Sequence, residues 1–210
     1  MEALFTGEVP GLDIDLAKVL HGEQYFKIMK PMPFEAKLTN TFKIQVSLNP
    51  LIYNTKCLIY KFQDVLDKGR GMVLLIEIES KDESGEVVTV NQQSIFVVGD
   101  GGFGGPRSSE YLIDVAKIPD RSPDNESVFQ TNEDQAALYR MSGDLNPLHI
   151  NPDFAAFGGF STPILHGLCS LGISVRQILD TWVDGDATQL SAVKVCSSQK
   201  YCFNTEIIFR

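Results

Sequence analysis

The sequence predicts an α+β fold, in which an antiparallel sheet accompanies one long apolar helix. Residues 72–80 and 87–98 alternate between apolar and polar side chains on either side of a charged turn, and this pattern predicts two antiparallel strands. Residues from about 166 to 182 place apolar side chains at mostly helical spacing, which predicts a buried helix of roughly four turns. Residues 190–195 predict a further strand after that helix.

The composition is that of an ordinary globular chain. Of its 210 residues, 43% are hydrophobic and 21% are charged, which suits one large domain or two small ones. The formal net charge of −9 argues against nucleic acid or an anionic membrane as a main partner. The four cysteines form neither a CxxC pair nor a Cys/His metal pattern, so we expect reduced thiols and no metal. We also expect no signal peptide and no membrane span, because the required leader and apolar run do not occur.

The first half of the chain begins its regular structure near Glu23, where residues 23–28 predict the start of a strand. Residues 41–63 are rich in Ile, Leu, Tyr and Phe around a turn signal. They predict either a hairpin or sequence foreign to the fold, and both interpretations stay open. Further on, the Pro- and Asp-rich residues 118–130 predict a linker between the two halves of the chain.

A glycine-rich loop, GDGGFGGPR, occupies residues 99–107. It matches neither a Walker A motif nor a dinucleotide-binding fingerprint, because the motif lysine is missing and no helix pattern follows. One interpretation is a flexible loop. The other is a loop that binds a phosphate directly, helped by Arg107.

One loop in the second half of the chain combines several chemically useful residues. Asp144, Asn146 and His149 lie within six residues that Gly143 and Pro147 favour as a turn. The turn brings a carboxylate and an imidazole to one small volume. Such a pair can orient and deprotonate a water, because neutral imidazole is a base near pH 7 and the carboxylate fixes its tautomer or shares the proton. We therefore predict a catalytic site on this loop.

His166 and Gly167 stand where the predicted long helix begins. A glycine in the first helical turn lets a substrate approach the free backbone N–H groups, where the helix dipole favours negative charge. We therefore predict that the Gly167 N–H donates to an oxyanion and that His166 has an orienting role. Taken singly, these residues have plainer interpretations: Asp144 is a turn former, His149 and His166 are buried histidines, and Gly167 is a close-packing glycine.

Three strings carry a family resemblance. YRMSGDLNPLHINPDFA at residues 139–155 and GFSTPILHGLCSLG at residues 159–172 resemble the signature of the hydratase 2 family, the MaoC-like (R)-specific 2-enoyl-CoA hydratases. VLHGEQY at residues 19–25 is similar to the first domain of that family. The resemblance implies tandem hot-dog folds, each an antiparallel sheet wrapped around a central helix. It does not extend to residues 41–63 or beyond residue 195, so we expect the second hot-dog to be incomplete.

The resemblance also implies a domain plan and a set of roles. Residues 1–117 would form a non-catalytic hot-dog, residues 118–130 the linker, and residues 131–210 a catalytic hot-dog that is truncated at its C-terminus. Catalytic roles fall on Asp144, Asn146, His149 and Gly167. Substrate-binding roles fall on Glu23, Gly102, Phe103, Gly104, Arg140 and His166.

The implied reaction is the reversible hydration of trans-2-enoyl-CoA to (3R)-3-hydroxyacyl-CoA in fatty-acid β-oxidation. It needs no metal and no separate cofactor, because CoA is part of the substrate. The family implies a peroxisomal location, although the C-terminus is not an S-K-L address and a cytoplasmic location is the alternative. We expect a homodimer and, by family, a fused or associated dehydrogenase module. The alternative functions are a non-catalytic acyl-CoA-binding hot-dog and an inactive truncated isoform.

Overall fold

The computed structural model describes residues 14, 18–32, 35–43, 64–115, 117, 119–196 and 206–209. The chain divides into two compact units. The first comprises residues 1–115 with 191–196, and the second comprises residues 116–190 with 197–210. Residues 41–63 had two interpretations, a hairpin or sequence foreign to the fold. Residues 44–63 of this segment lie outside the described residues.

The first unit is built on a six-stranded sheet in which every pair of neighbouring strands is antiparallel. The strand bounds are β1 Val19–Ile28, β2 Thr39–Lys43, β3 Asp64–Asp67, β4 Gly71–Lys81, β5 Val87–Val98 and β7 Ala192–Cys196. The spatial order is β2-β4-β5-β1-β7, and β3 also pairs with β4.

Strands β4 and β5 form the centre of this sheet and confirm the predicted antiparallel pair. Their register runs from Gly71 opposite Val98 to Lys81 opposite Val87, with an irregularity beside Lys81. Alternate residues of the two strands point to one face, where they form a buried apolar cluster. The cluster consists of Met72, Leu74, Ile76, Ile95 and Val97.

The boundaries between the units differ from the predicted domain plan at two places. Residues 127–130, predicted as linker, form strand β6 (Ser127–Gln130), which pairs antiparallel with β8 (Glu206–Phe209) in the second unit. Strand β7, predicted within the catalytic hot-dog, pairs with β1 of the first unit, with Glu23 opposite Cys196. Composition alone marks polar, Pro-rich sequence and does not reveal which distant strand a short segment pairs with.

The second unit carries the described helices that surround the predicted catalytic loop. They are α1 (Gln135–Arg140), a 3₁₀ turn (Pro147–His149), α2 (Pro152–Phe157) and α3 (Gly167–Trp182). A short 3₁₀ turn, Ala187–Gln189, follows. A small core of Ala136, Leu165 and Cys169, with Tyr139 and Ile173 packed against it, joins α1 to α3.

Helix α3 has the predicted bounds within one residue, but the prediction that it is buried is wrong. Within it, only Cys169 and Ser170 are buried, and Trp182 at its C-terminal end is 61% exposed. The described sheet of the second unit has two strands, which cover less of a helix than the four or five strands of a complete wrapped sheet would. Among the described residues, no helix combines the length and apolar character that crossing a membrane requires.

Candidate active site

The loop that carries Asp144 is closed by Arg140, the last residue of α1. Arg140 Nη1 donates to the carbonyl oxygens of Leu145 at 2.7 Å and Asn146 at 3.3 Å. Gly143, with φ of 108°, supplies the positive backbone angle at which the chain turns away from the helix. One nitrogen of the guanidinium predicted to bind substrate is therefore occupied in holding this loop.

Asn146 connects the loop to the 3₁₀ turn that carries His149. Its backbone N–H donates to Oδ1 of Asp144 at 3.2 Å, and its own Oδ1 accepts from the N–H of Leu148 at 3.0 Å. Pro147 takes the first position of the turn, where a backbone N–H is not needed. The Asn146 side chain thus caps the turn, and through this local bonding it fixes the spacing between Asp144 and His149.

His149 is nearly buried, with 9% of its surface exposed. Its Nδ1 lies 2.8 Å from the carbonyl oxygen of Ile164, and because a carbonyl can only accept, Nδ1 carries the proton of the neutral ring. Burial lowers the pKa of His149, and this effect outweighs the upward effects of the Ile164 bond and the Asp144 carboxylate. The ring is therefore neutral at pH 7, with Nε2 available as a base.

His166 lies immediately before α3 and is 1% exposed. One face of its ring stacks on His149 with centroids 3.7 Å apart and planes at 28°, and the Tyr139 ring lies 4.8 Å away. Neither ring nitrogen has a hydrogen-bond partner of acceptable geometry, although the Asp144 backbone carbonyl is close enough to favour the protonated form slightly. Burial, followed by the nearby His149, lowers the pKa of His166 to about 4.

Three polar side chains converge at this point. Asp144, His149 and His166 each offer one oxygen or nitrogen, and these atoms lie within 4.8 Å of one another. Carboxylates and imidazoles can hydrogen-bond to a small molecule, and they are also metal ligands.

Gly167 is the first residue of α3 and follows His166 directly. The first N–H groups of a helix have no carbonyl of the same helix to bond, and they form the positive end of the helix dipole. Gly167 is an exposed residue, and as a glycine it has no side chain to cover this amide. The predicted oxyanion donor thus lies next in the chain to the stacked histidines.

Glu23, the other predicted site carboxylate, lies in the first unit, on β1. Its oxygens accept from Ser94 Oγ at 3.2 Å and Cys196 Sγ at 3.1 Å, and Lys194 Nζ lies 3.1 Å away. Lys194 also donates to the carbonyl of Ile113. Burial raises the pKa of Glu23, but the bonds from Cys196 and Lys194 outweigh it and leave the pKa below its usual value. Glu23 is thus an ion-paired carboxylate of the sheet.

The glycine-rich loop of the first unit is organised around Asp67. One carboxylate oxygen of Asp67 accepts from the N–H groups of Gly69 at 2.7 Å and Gly102 at 2.9 Å, and the other accepts from Gly104 at 2.8 Å. These amides are the donors that a phosphate would need. In this arrangement the Gly102 and Gly104 N–H groups are bonded to an internal carboxylate, which argues against the interpretation that they bind a phosphate directly. Phe103 between them is exposed.

Three residues contribute to these arrangements without a signal in the sequence. Tyr139 lies in the quoted motif, but nothing in its spacing shows that its ring would face His166. Asp67 gave no signal, because two of its partners lie 35 and 37 residues further along the chain. Lys194 gave no signal, since it meets Glu23 only through the pairing of two strands distant in sequence.

Comparison with known protein families identifies two domains in the chain. Residues 114–198 match the MaoC like domain, and residues 1–49 match the MFE-2 hydratase 2 N-terminal domain. Peroxisomal multifunctional enzyme type 2 of Mus musculus is 45% identical over 188 residues, which are 90% of this chain and 23% of that protein. A peroxisomal enoyl-CoA hydratase 2 of Arabidopsis thaliana is 37% identical over 89% of this chain and 57% of its own length. The chain thus spans about a quarter to a half of these relatives.

Solved structures confirm the hot-dog fold. The full-length peroxisomal multifunctional enzyme type 2 of Drosophila melanogaster aligns with a TM-score of 0.76 and 37% identity, covering 99% of this chain and 34% of that one. A MaoC-like dehydratase of Phytophthora capsici has the same TM-score at 31% identity, covering 92% of this chain and 61% of that one. A Mycobacterium tuberculosis protein described as a double hot-dog aligns with a TM-score of 0.53 at 8% identity, which speaks for the fold alone.

Proposed function

The chain belongs to the MaoC-like hydratase 2 family, and from this premise we propose that it is an (R)-specific 2-enoyl-CoA hydratase. The reaction is the reversible addition of water to trans-2-enoyl-CoA, which gives (3R)-3-hydroxyacyl-CoA. One observation carries the proposal: His149, whose Nδ1 is bonded to the Ile164 carbonyl, has a ring nitrogen within 4.8 Å of a carboxylate oxygen of Asp144. This arrangement is what activation of a single water requires.

The proposed chemistry moves one water across the double bond. His149 Nε2 takes a proton as the water oxygen bonds to C3, and the C2–C3 π electrons move toward C2 and the thioester carbonyl. The proton on His149 then passes to Asp144, and Asp144 donates it to C2. The atoms of one water are thus added, with the hydroxyl on C3 and the hydrogen on C2. Asn146 holds the two groups at their spacing by its local bonds.

The thioester oxygen becomes enolate-like in this step and needs a donor. The Gly167 N–H at the start of α3 is the proposed one, because it is free of helical partners and the helix dipole favours a negative charge there. A preorganised donor of this kind contributes about 3 kcal/mol to the transition state, or on the order of a hundredfold in rate. The thioester itself acidifies C2, so the proposal includes no metal and no separate cofactor.

The proposal extends to the setting of the reaction. The substrate is an acyl-CoA, with the remaining Arg140 donors as contacts for it. Relatives named as peroxisomal support a peroxisomal location. A relative named as a hydratase-dehydrogenase-epimerase supports a fused or associated dehydrogenase module. A homodimer joined through sheet edges is proposed because the unpaired backbone groups of an edge strand can pair with a second chain.

The test is a hydration assay on the purified chain. A medium-chain trans-2-enoyl-CoA is supplied, loss of the conjugated double bond is followed, and the chirality of the product is determined. We expect the 3R product, and we expect His149→Gln to lower kcat at least about a hundredfold because the base is removed. His21→Gln, a histidine replacement in the other unit, serves as the matched control.

Two results would contradict the proposal. Formation of the 3S product would exclude this stereochemistry, and equal rates for wild type and His149→Gln would remove His149 from the chemistry. Tight binding of acyl-CoA by calorimetry without turnover would point instead to a non-catalytic acyl-CoA-binding hot-dog.

A further inference from the structure

His166 is a buried polar group whose ring nitrogens have no hydrogen-bond partner of acceptable geometry among the described residues. It is 1% exposed, and the backbone carbonyl of Asp144 is near but does not bond Nδ1 or Nε2 with acceptable geometry. Burying an imidazole without hydrogen bonds costs stability, and packing alone would be served better by an apolar ring. A histidine at this position therefore indicates a polar partner other than the described residues.

The geometry shows where that partner would lie. The three atoms offered by Asp144, His149 and His166 are within 4.8 Å of one another. A triangle with sides of at most 4.8 Å contains a point that is no more than about 2.8 Å from each corner, which is the length of a normal hydrogen bond. One water oxygen at that point reaches all three side chains.

The hydrogen-bonding capacities of the three groups also match those of a water. The Asp144 carboxylate accepts, and His149 Nε2 accepts because Nδ1 carries the ring proton. A neutral His166 has one N–H to donate, and its low pKa keeps it neutral at pH 7. The water then donates both hydrogens, accepts one bond from His166, and keeps its second lone pair free for a carbon atom.

We infer that His166 is a third group that holds the reacting water, donating its N–H to the water oxygen while Asp144 and His149 accept the two hydrogens. This inference rests on the proposed hydratase function and gives His166 a contact with the reacting atoms. The stack on His149 and the tilted contact with Tyr139 limit how the ring can turn. His166 thereby aims the free lone pair of the water.

The first experiment compares variants that separate the ring from its N–H. His166→Phe keeps an aromatic ring in the stack and removes the donor, so we expect kcat to fall by about tenfold to a hundredfold with little change in KM. His166→Asn and His166→Gln restore an amide N–H, and we expect at least one of them to be faster than His166→Phe. Ser170→Ala is the matched control, since it removes another buried, unpartnered polar group from the next turn of α3. It should keep the wild-type rate.

A kcat for His166→Phe equal to that of wild type would overturn the inference, and so would a rate for both amide variants no higher than that of the Phe variant. Cooperative unfolding monitored by circular dichroism establishes that each variant is folded.

The second experiment does not depend on enzymatic activity. A crystal structure of the wild-type chain at a resolution that resolves waters should place one water within hydrogen-bond distance of Asp144, His149 and His166, and the His166→Phe structure should lose it. A wild-type site without this water overturns the inference. If the water is present but wild type does not hydrate enoyl-CoA, the proposed function fails and the water site stands. If wild type is active but insensitive to His166→Phe, the function stands and the role of His166 fails.

Discussion

Replacement of His166 by Phe should change how the stability of the second unit depends on pH. The pKa of His166 falls from an ordinary value of 6.5 to about 4 in the folded chain, and its 1% exposure leaves little solvent to screen the effect. Below pH 6.5 the unfolded chain binds a proton at this histidine and the folded chain does not. The free energy of unfolding therefore decreases as the pH falls toward 4. The loss from this group amounts to about 3 kcal/mol by pH 4.

The assay is urea unfolding followed by helical circular dichroism at pH 7 and at pH 4. The described α-helices all lie in the second unit, so the helical signal reports on that unit. Carboxylates with lowered pKa values, such as Asp82, also titrate in acid, but they are common to both proteins. The difference between wild type and His166→Phe therefore isolates the histidine. We expect the wild type to lose about 3 kcal/mol more than the variant between the two pH values.

An equal loss in wild type and variant would refute the reasoning, because it would mean that His166 is not held neutral by the fold. A larger loss in the variant would have the same meaning.

Three further substitutions probe the first unit. Leu74→Ala should lower the free energy of unfolding by about 2–5 kcal/mol in urea titrations, because Leu74 is completely buried, whereas the exposed Val98→Ala should change it little. Asp67→Asn should speed amide hydrogen exchange at Gly102, because the carboxylate that accepts its N–H loses its charge. Glu23→Gln should lower the melting temperature, since it leaves a nearly buried ammonium without its counter-charge.

Each of these outcomes can fail in a distinct way. A loss of stability in Val98→Ala as large as that in Leu74→Ala would mean that the apolar face of the sheet is assigned wrongly. Unchanged exchange at Gly102 in the Asp67 variant would mean that the carboxylate does not organise the loop. A melting temperature for Glu23→Gln at or above the wild-type value would mean that the ion pair contributes no stability.

Local patterns predicted the elements whose causes are local. Strand β5 has the predicted bounds and α3 differs by one residue, because alternation and helical spacing are properties of neighbouring residues. The turn between Asp144 and His149 follows in the same way from Gly143, Asn146 and Pro147. These residues bond to backbone groups at most a few positions away.

Features that depend on distant partners could not be predicted in this way. The sequence shows that Glu23 is acidic, but the ion pair with Lys194 exists only because β7 pairs with β1. The glycine-rich loop resembles a phosphate loop in composition, and only the position of Asp67 reveals that its amides are already bonded. The exposure of α3 depends on how many strands pack against it, which its own apolar spacing does not report.

Single-turnover hydration of trans-2-enoyl-CoA shows whether Asp144 acts in the hydration of an enoyl-CoA. Wild type is compared with Asp144→Asn and with Asp153→Asn, which removes an exposed carboxylate nine positions away on α2. We predict that Asp144→Asn loses at least about a hundredfold in rate and that Asp153→Asn keeps the wild-type rate. Equal rates for wild type and Asp144→Asn would contradict the account.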